Sequence, residues 1–259
     1  MKQLIITAAI LLSFSACRTD MVIPSGPRTT ETRVIDQSFD AVSVSSVINL
    51  YLSSGELSLE VETNENVHEY VEIFVYNNCL YVKTDNMISF RKNADIKVFL
   101  TVDQLRQIKA SGASNVKIDD VLSSNGEFAL SVSGASKIEC RNQGEIQADK
   151  IKVKSSGASE IDLKLTCDNL EAEADGASKL SFFGLADDVE LDLSGASDVE
   201  AFDLDILRLN AKLSGASNAN VTVQDFLKAK LSGASMVRYK GNPELDYDLS
   251  GGSQIKKSN

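Results

Sequence analysis

The stretch that decides the fold is ELDLSGASDVEAF at residues 190–202, and its centre is the tetrapeptide Ser194-Gly195-Ala196-Ser197. This tetrapeptide, or a close variant, occurs eight times, with its glycine at Gly112, Gly134, Gly157, Gly176, Gly195, Gly215, Gly233 and Gly251. Successive glycines are 22, 23, 19, 19, 20, 18 and 18 residues apart. A nearly fixed period of about 20 residues is typical of solenoids. The sequence therefore predicts an all-β protein, a β-solenoid or parallel β-helix-like stack with one coil for each motif.

Apolar residues flank each glycine at fixed spacings, as Leu191, Leu193 and Val199 do around Gly195. A spacing of two places these residues on one face of a strand. Counted in the same way, the glycine and the second serine fall on the buried face, and the first serine and the alanine fall outside. The second serines are Ser114, Ser136, Ser159, Ser178, Ser197, Ser217, Ser235 and Ser253.

The second serines are expected to be buried and stacked as a ladder. Neighbouring coils lie about 4.8 Å apart, so each hydroxyl can bond to the serine of the next coil. Such a bond satisfies a buried group that would otherwise cost about 1–3 kcal/mol. The alternative is a sharp corner at the glycine, which would reset the alternation and place the serine outside. Eight equivalent active sites are a poorer explanation than one structural device used eight times.

The chain divides into four predicted segments. Residues 1–16 are a signal peptide, residues 17–31 a lipidated N-terminus and tether, residues 32–105 a β region without an obvious repeat, and residues 106–259 the solenoid. The β region is expected to pack on the solenoid or to continue it, without a helix of normal length. The polar residues 256–259 suit an exposed end of the stack.

The N-terminus predicts export and a lipid anchor. Lys2 precedes an apolar run from Leu4 to Phe14, which is too short to span a membrane. Residues 13–17 (SFSAC) resemble a bacterial lipobox, although Phe14 departs from the usual leucine, and the resemblance implies lipidation of Cys17. An ordinary signal peptide is the alternative. We expect an exported cell-envelope protein, lipid-anchored to the outer membrane, with its periplasmic or surface face undetermined.

Charge and composition exclude one class of partner. The net charge is −11 and the isoelectric point about 4.7. An acidic surface of this size repels phosphate backbones, so nucleic acid is not an expected partner.

Few residues suggest catalysis or metal binding. His68 is the one histidine, and we expect it on the surface near a strand start. Cys79, Cys140 and Cys167 have no zinc-site spacing, and the repeat places Cys140 and Cys167 among the core positions. We therefore expect no catalytic residues, no metal site, no cofactor and no enzymatic activity.

Pairs of carboxylates are the one route to chemistry that stays open. They are Asp119 and Asp120, Asp187 and Asp188, Asp203 and Asp205, and Asp246 and Asp248. Converging oxygen ligands could bind Ca²⁺, and acids act on polysaccharides in some parallel β-helices. The pairs have no common spacing from the glycines, which favours solvated faces.

The sequence Phe39-Asp40-Ala41-Val42 followed by the reiterated tetrapeptide resembles the family of the putative auto-transporter adhesin, head GIN domain, over residues 35–253. The resemblance implies a β-solenoid and an adhesin role in bacterial envelopes.

The leading functional hypothesis is a cell-envelope adhesin or binding module with a glycan or protein ligand. A polysaccharide-acting enzyme, and a structural or signalling envelope component without a ligand, are the alternatives.

Overall fold

The computed structural model describes residues 20–92 and 94–258, so the predicted signal peptide and Cys17 lie outside the described residues. The strands are β1 (Asp20–Val22), β2 (Arg28–Thr32), β3 (Ala41–Val44), β4 (Ile48–Ser54), β5 (Ser58–Asn64), β6 (Val71–Tyr76), β7 (Cys79–Thr84), β8 (Ile88–Phe90), β9 (Ile96–Val102), β10 (Gln107–Ala110), β11 (Asn115–Ile118), β12 (Val121–Val132), β13 (Lys137–Cys140), β14 (Glu145–Ser155), β15 (Glu160–Ala174), β16 (Lys179–Leu193), β17 (Asp198–Leu213), β18 (Asn218–Leu231), β19 (Met236–Lys240), β20 (Glu244–Leu249) and β21 (Gln254–Lys257). A short 3-10 helix spans Glu65–Tyr70. Across the described ranges, no helix has the length and apolar character needed to cross a lipid bilayer.

The predicted β-solenoid is confirmed. From β10 to β21 each coil pairs in parallel with the next, and equivalent positions of the repeat lie directly over one another. Leu180, for example, lies between Ile161 and Val199 in the neighbouring coils, and each of the three is at most 1% exposed. Columns of this kind form the core, and each buried aliphatic side chain contributes about 1.5–3 kcal/mol.

The region before the first motif continues the stack. Strands β3 and β4 pair in parallel with β10 and β11, so residues 41–54 form a coil directly beside the coil at 107–118. On their other side, β3 and β4 pair in parallel with β7 and β9. The coils are therefore stacked out of chain order, since the coil at 41–54 lies between two coils that follow it in the sequence.

The outermost coil at this end is covered by antiparallel strands. β6 pairs with β7, β5 with β9, and β2 with β5. Leu59 and Val61 on β5 are buried, as is Val67 in the 3-10 helix. These elements cap the end of the core.

The structure corrects the predicted tether. β2 forms a five-residue antiparallel ladder with β5, and β1 pairs in parallel with β8. Arg28 bonds to both Glu62 and Asp95, which fixes this segment to the folded domain. The ladder bonds satisfy backbone groups that a free tether would leave to water, so most of residues 20–32 cannot serve as a spacer.

Candidate functional site

The motif glycines form exposed corners, which corrects their predicted inward placement. All eight are solvent-exposed with φ between 70° and 80°. A Cβ on Gly195 would lie 2.5 Å from the carbonyl oxygen of Gly176 in the neighbouring coil. That same carbonyl accepts a 2.7 Å hydrogen bond from the Ala196 amide. Positive φ and close coil-to-coil contact therefore both require glycine here.

The second serines face the core despite the corner. Seven of the eight are at most 2% exposed, and Ser253 in the last coil is half-buried. The predicted serine-to-serine ladder is wrong for most coils. Hydroxyl-to-hydroxyl distances of 3.4 Å occur between Ser114 and Ser136 and between Ser159 and Ser178.

The buried hydroxyls are satisfied inside their own corner instead. In seven motifs the second serine donates to the carbonyl of the first motif residue, at 2.8–3.0 Å. Ser197, for instance, donates to Ser194 at 3.0 Å. The tight turn at the glycine brings this carbonyl closer than the next serine, so the motif acts as a self-contained corner.

A ninth corner without glycine was missed from the sequence. Ser46 has a φ of 74°, and its carbonyl accepts from the Ala113 amide at 2.9 Å, as a motif glycine would. Val42, Val44 and Leu50 stand four before, two before and four after Ser46, and all are fully buried. This spacing is the signal in the sequence that indicates the corner, although no glycine marks it.

His68 is buried, which corrects its predicted surface position. It is 4% exposed in the 3-10 helix, with Nε2 3.0 Å from Thr29 Oγ1 and 3.2 Å from the Thr29 carbonyl oxygen. Its Nδ1 lies 3.6 Å from a Glu31 carboxylate oxygen. The apolar spacing around it predicts strands alone, whereas the 3-10 helix turns the ring inward under β2. His68 thereby anchors β2.

The three described cysteines are poor nucleophiles. Cys167 and Cys79 are buried and Cys140 is half-buried against the core. Burial raises the thiol pKa of Cys140 and of Cys167 to about 12. Near neutral pH these thiols stay protonated, and the thiolate is the reactive form.

The acid pairs considered from the sequence are spread over different coils. Asp119 accepts a hydrogen bond from the Asn142 side chain, and Asp120 accepts one from the Ser54 amide. This pair lies several coils away from the other pairs. Asp203 and Asp205 are exposed on β17. Among the described residues, no group of three or more histidines, cysteines or acids is arranged to hold a metal ion.

Outward side chains on the strands before each motif form what we term the banded face. By coil, from the strand before Gly157 onwards, its charged residues are Lys150, Lys152 and Lys154; Glu171 and Glu173; Asp188, Glu190 and Asp192; Arg208 and Lys212; Lys228 and Lys230; and Glu244, Asp246 and Asp248. Lys150 pairs with Glu171 and Lys154 with Glu173, so opposite charges meet across the first two bands.

Like charges also meet on this face. Glu171 lies beside Glu190 in register, and Lys212 beside Lys230. Directly opposed like charges are destabilising, whereas opposite charges contribute about 0.2–1 kcal/mol for each pair. Folding alone does not favour doubled bands.

A cleft of about 350 Å³ crosses four coils of the banded face, and we term it the Arg208 cleft. Its polar lining residues are Asn169, Glu171, Asp188, Glu190, Arg208, Asn210 and Lys228, and Phe226 is half-exposed beside them.

Arg208 is paired with Asp188 in the cleft. Its guanidinium donates two 2.6 Å hydrogen bonds to the two carboxylate oxygens of Asp188. These bonds lower the pKa of Asp188 and raise that of Arg208. Asp188 thus stays ionised and is a hydrogen-bond acceptor, not a general acid.

A β-solenoid with a polar cleft over several coils presents an extended surface of the kind that repeat proteins can use for binding. The family described as "Putative auto-transporter adhesin, head GIN domain" matches residues 38–243. The chain belongs to this family, as the resemblance implied.

Solved structures share the fold. A putative adhesin from Parabacteroides merdae is 22% identical with a TM-score of 0.85, covering 93% of this chain and 100% of that one. A putative adhesin from Parabacteroides distasonis is 22% identical with a TM-score of 0.84, covering 92% and 100%. A putative lipid binding protein from Parabacteroides distasonis is 20% identical with a TM-score of 0.84, covering 93% and 100%. Among curated proteins, none matches this chain.

Proposed function

We propose that the protein is a cell-envelope binding module, an adhesin, that holds a glycan chain in the Arg208 cleft. The cleft is the observation that carries the proposal. Sugars are bound by planar polar groups that exchange hydrogen bonds with hydroxyls and by apolar faces that pack on the ring. Asn169, Asn210 and the Arg208–Asp188 pair supply the planar polar groups, and Phe226 supplies the apolar face.

The regular spacing of the coils suits a polymeric ligand. Equivalent strand positions recur about every 4.8 Å along the stack, so successive sugar units can meet successive coils. The doubled charge bands support a binding role, since a like-charged neighbour in the next coil brings no benefit to folding. The adhesin names of the family and of two relatives, and the lipid-binding name of a third, are consistent with a ligand-binding protein.

Glycan-array binding by the full chain tests the proposal. Arg208→Ala and Phe226→Ala are each expected to weaken binding about tenfold or more, as for residues that dominate an interface. Arg238→Ala makes the same charge change on the strands after the motif, and it is the matched control. Binding to host matrix proteins and not to glycans would indicate a protein ligand. Glycan binding unchanged by the cleft variants would contradict the proposal.

The anchor is part of the same proposal. Lipidation of Cys17 would retain the module at the envelope, because several acyl chains together give stable membrane attachment. The chain should take up a labelled fatty acid and fractionate with membranes, and Cys17→Ser should abolish both. If the wild-type protein takes up no labelled fatty acid and does not fractionate with membranes, the N-terminus is an ordinary signal peptide.

A polysaccharide-acting enzyme is the second candidate, because Glu171, Asp188 and Glu190 share the cleft with Arg208. Turnover of any bound glycan that is lost in Glu190→Gln would favour it. Under the binding proposal, the glycan is bound and recovered intact.

A further inference from the structure

The last described coil exposes side chains that every earlier coil buries. Tyr247 and Leu249 are 54% and 37% exposed, although they occupy the inward column of β20. Ala229 and Leu231, their register partners one coil earlier, are each 1% exposed. The apolar interior of the solenoid is therefore open at this end, which we term the open end.

The open end also presents unpaired strand edges. In the described part of the chain, β20 pairs only with β18 and β21 only with β19, so each has one free edge. A free edge beside exposed apolar side chains is a template for another strand. The opposite end of the stack is covered by β2, β5 and β6. The two ends are thus built differently.

Charge on the open end limits what can pair with it. Glu244, Asp246 and Asp248 project from the outer face of β20, whereas Lys256 projects from β21, followed by Lys257. A second β20 laid against the first would oppose acids to acids, which is destabilising. An edge carrying lysines meets β20 with favourable charge, and this chain has such an edge in its own β21.

Two-fold symmetry satisfies this requirement on both strands at once. β20 runs towards the corner at Gly251 and β21 runs away from it. A two-fold axis through that corner lays β20 antiparallel to β21 of a second copy, and the same contact repeats on the other side. Residues at equal distances before and after Gly251 then face each other across the contact. Asp246 faces Lys256 of the second copy, and Tyr247 faces Ile255 of the second copy.

We propose that the open end is a homodimer interface, in which two copies join end to end by antiparallel pairing of β20 with β21 of the other copy. The joined stacks share one continuous core, and the banded face of each copy meets the strands after the motif in the other copy.

Sedimentation velocity of the full chain in detergent tests the proposal, with cross-linking as a second readout. The wild type is expected to have twice the protein mass of one chain. Asp246→Lys alone and Lys256→Glu alone should each weaken dimerisation about tenfold, since close charge pairs across interfaces carry energies of this size. The double variant, which exchanges the two charges, should recover the wild-type dimer.

Glu190→Lys makes the same charge change as Asp246→Lys on the same face three coils away, and it should leave the dimer intact. Circular dichroism of every variant separates lost pairing from misfolding, and recovery in the double variant excludes a purely structural defect. A monomer at all concentrations would overturn the proposal. So would a dimer that both single variants leave unchanged, or one that the double variant fails to restore.

Discussion

The coil at residues 41–54 and the coil around Gly195 follow the same path with different residues. At the later corner, Gly195 has a φ of 73° and Ser197 fills the buried position with a hydroxyl bonded to Ser194. At the earlier corner Ser46 has a φ of 74°, and Ile48 fills the position with a fully buried apolar side chain. The comparison separates what the coil needs from what the motif adds. Both coils need a left-handed corner and the apolar columns. The buried position two residues after the corner, by contrast, can be filled by a serine or by an apolar side chain.

The largest loss of stability is expected from a substitution at the later corner. Gly195→Ala adds a Cβ 2.5 Å from the Gly176 carbonyl in a left-handed backbone. Strain of about 1–2 kcal/mol from the backbone and about 1–3 kcal/mol from overpacking should lower the free energy of unfolding. Urea denaturation measures the loss.

Ser46→Gly is the counterpart in the earlier coil, and there glycine relieves a positive φ. It should leave stability unchanged or raise it, because the corner already has the geometry that glycine prefers. Equal tolerance of Gly195→Ala would mean that the motif glycine is not required by its corner.

A second test exchanges the inner residue of the earlier coil. Ile48→Ser removes most of a fully buried aliphatic side chain and is expected to cost about 2–4 kcal/mol, because the cavity loses apolar contacts. The hydroxyl of the introduced serine can donate a hydrogen bond to the Ser45 carbonyl, which would offset part of this loss of stability. The denaturant concentrations at the midpoint of unfolding, compared between the variant and the wild type at equal slope, measure this loss of stability. A neutral result would show that the two corners are interchangeable in the inner residue.

Sequence reasoning found the later coils because their glycines repeat at a visible period, and it missed the earlier coil because Ser46 replaces the glycine. The second serines were placed correctly because the two-residue alternation of buried positions survives the turn. The glycines were not, since a corner carries its own backbone outward. Stacking out of chain order and the burial of His68 depend on long-range pairing, which leaves no local pattern. The Arg208 cleft joins residues from four coils, so the period alone could not select it.

Glu145 on β14 is a buried carboxylate in the later region. Burial raises the pKa of Glu145, but hydrogen bonds from Lys164, Gln147 and Thr166 outweigh it and leave the pKa below its usual range. A depressed carboxyl pKa stabilises the fold above the unfolded value of about 4.3, and this contribution is lost as the pH falls further.

Glu145→Gln should therefore lower the free energy of unfolding at pH 7 by about 1.5–3 kcal/mol, the contribution of hydrogen bonds to a charged group. The difference from wild type should shrink as the pH falls below 4, which unfolding curves at several pH values would record. If the stability difference between the variant and the wild type does not change with pH, the loss comes from packing and not from the charge of Glu145.

The smallest expected effect compares serines at the middle and the end of the stack. Ser197→Ala removes a fully buried hydroxyl bonded to Ser194, and about 1 kcal/mol should be lost. Ser253→Ala removes the same bond in the last coil, where the site is half-exposed and water can replace it. Thermal unfolding should separate the two variants, and equal losses would show that burial does not set the value of this bond.

Cross-linking in the earlier coil tests the central claim, that residues 41–54 form a coil between those at 79–102 and 107–118. Ser43 is in register with Lys109 on one side and Tyr81 on the other. Neighbouring strands lie about 4.8 Å apart, within reach of a disulfide, whereas two layers span about 9.6 Å and exceed its limit of about 7 Å.

With Cys79, Cys140 and Cys167 replaced by alanine, Ser43→Cys combined with Lys109→Cys should form a disulfide on oxidation, identified by peptide mass. Tyr81→Cys combined with Lys109→Cys should not. A bridge between positions 81 and 109, without one between 43 and 109, would mean that the coils stack in chain order and would contradict the account.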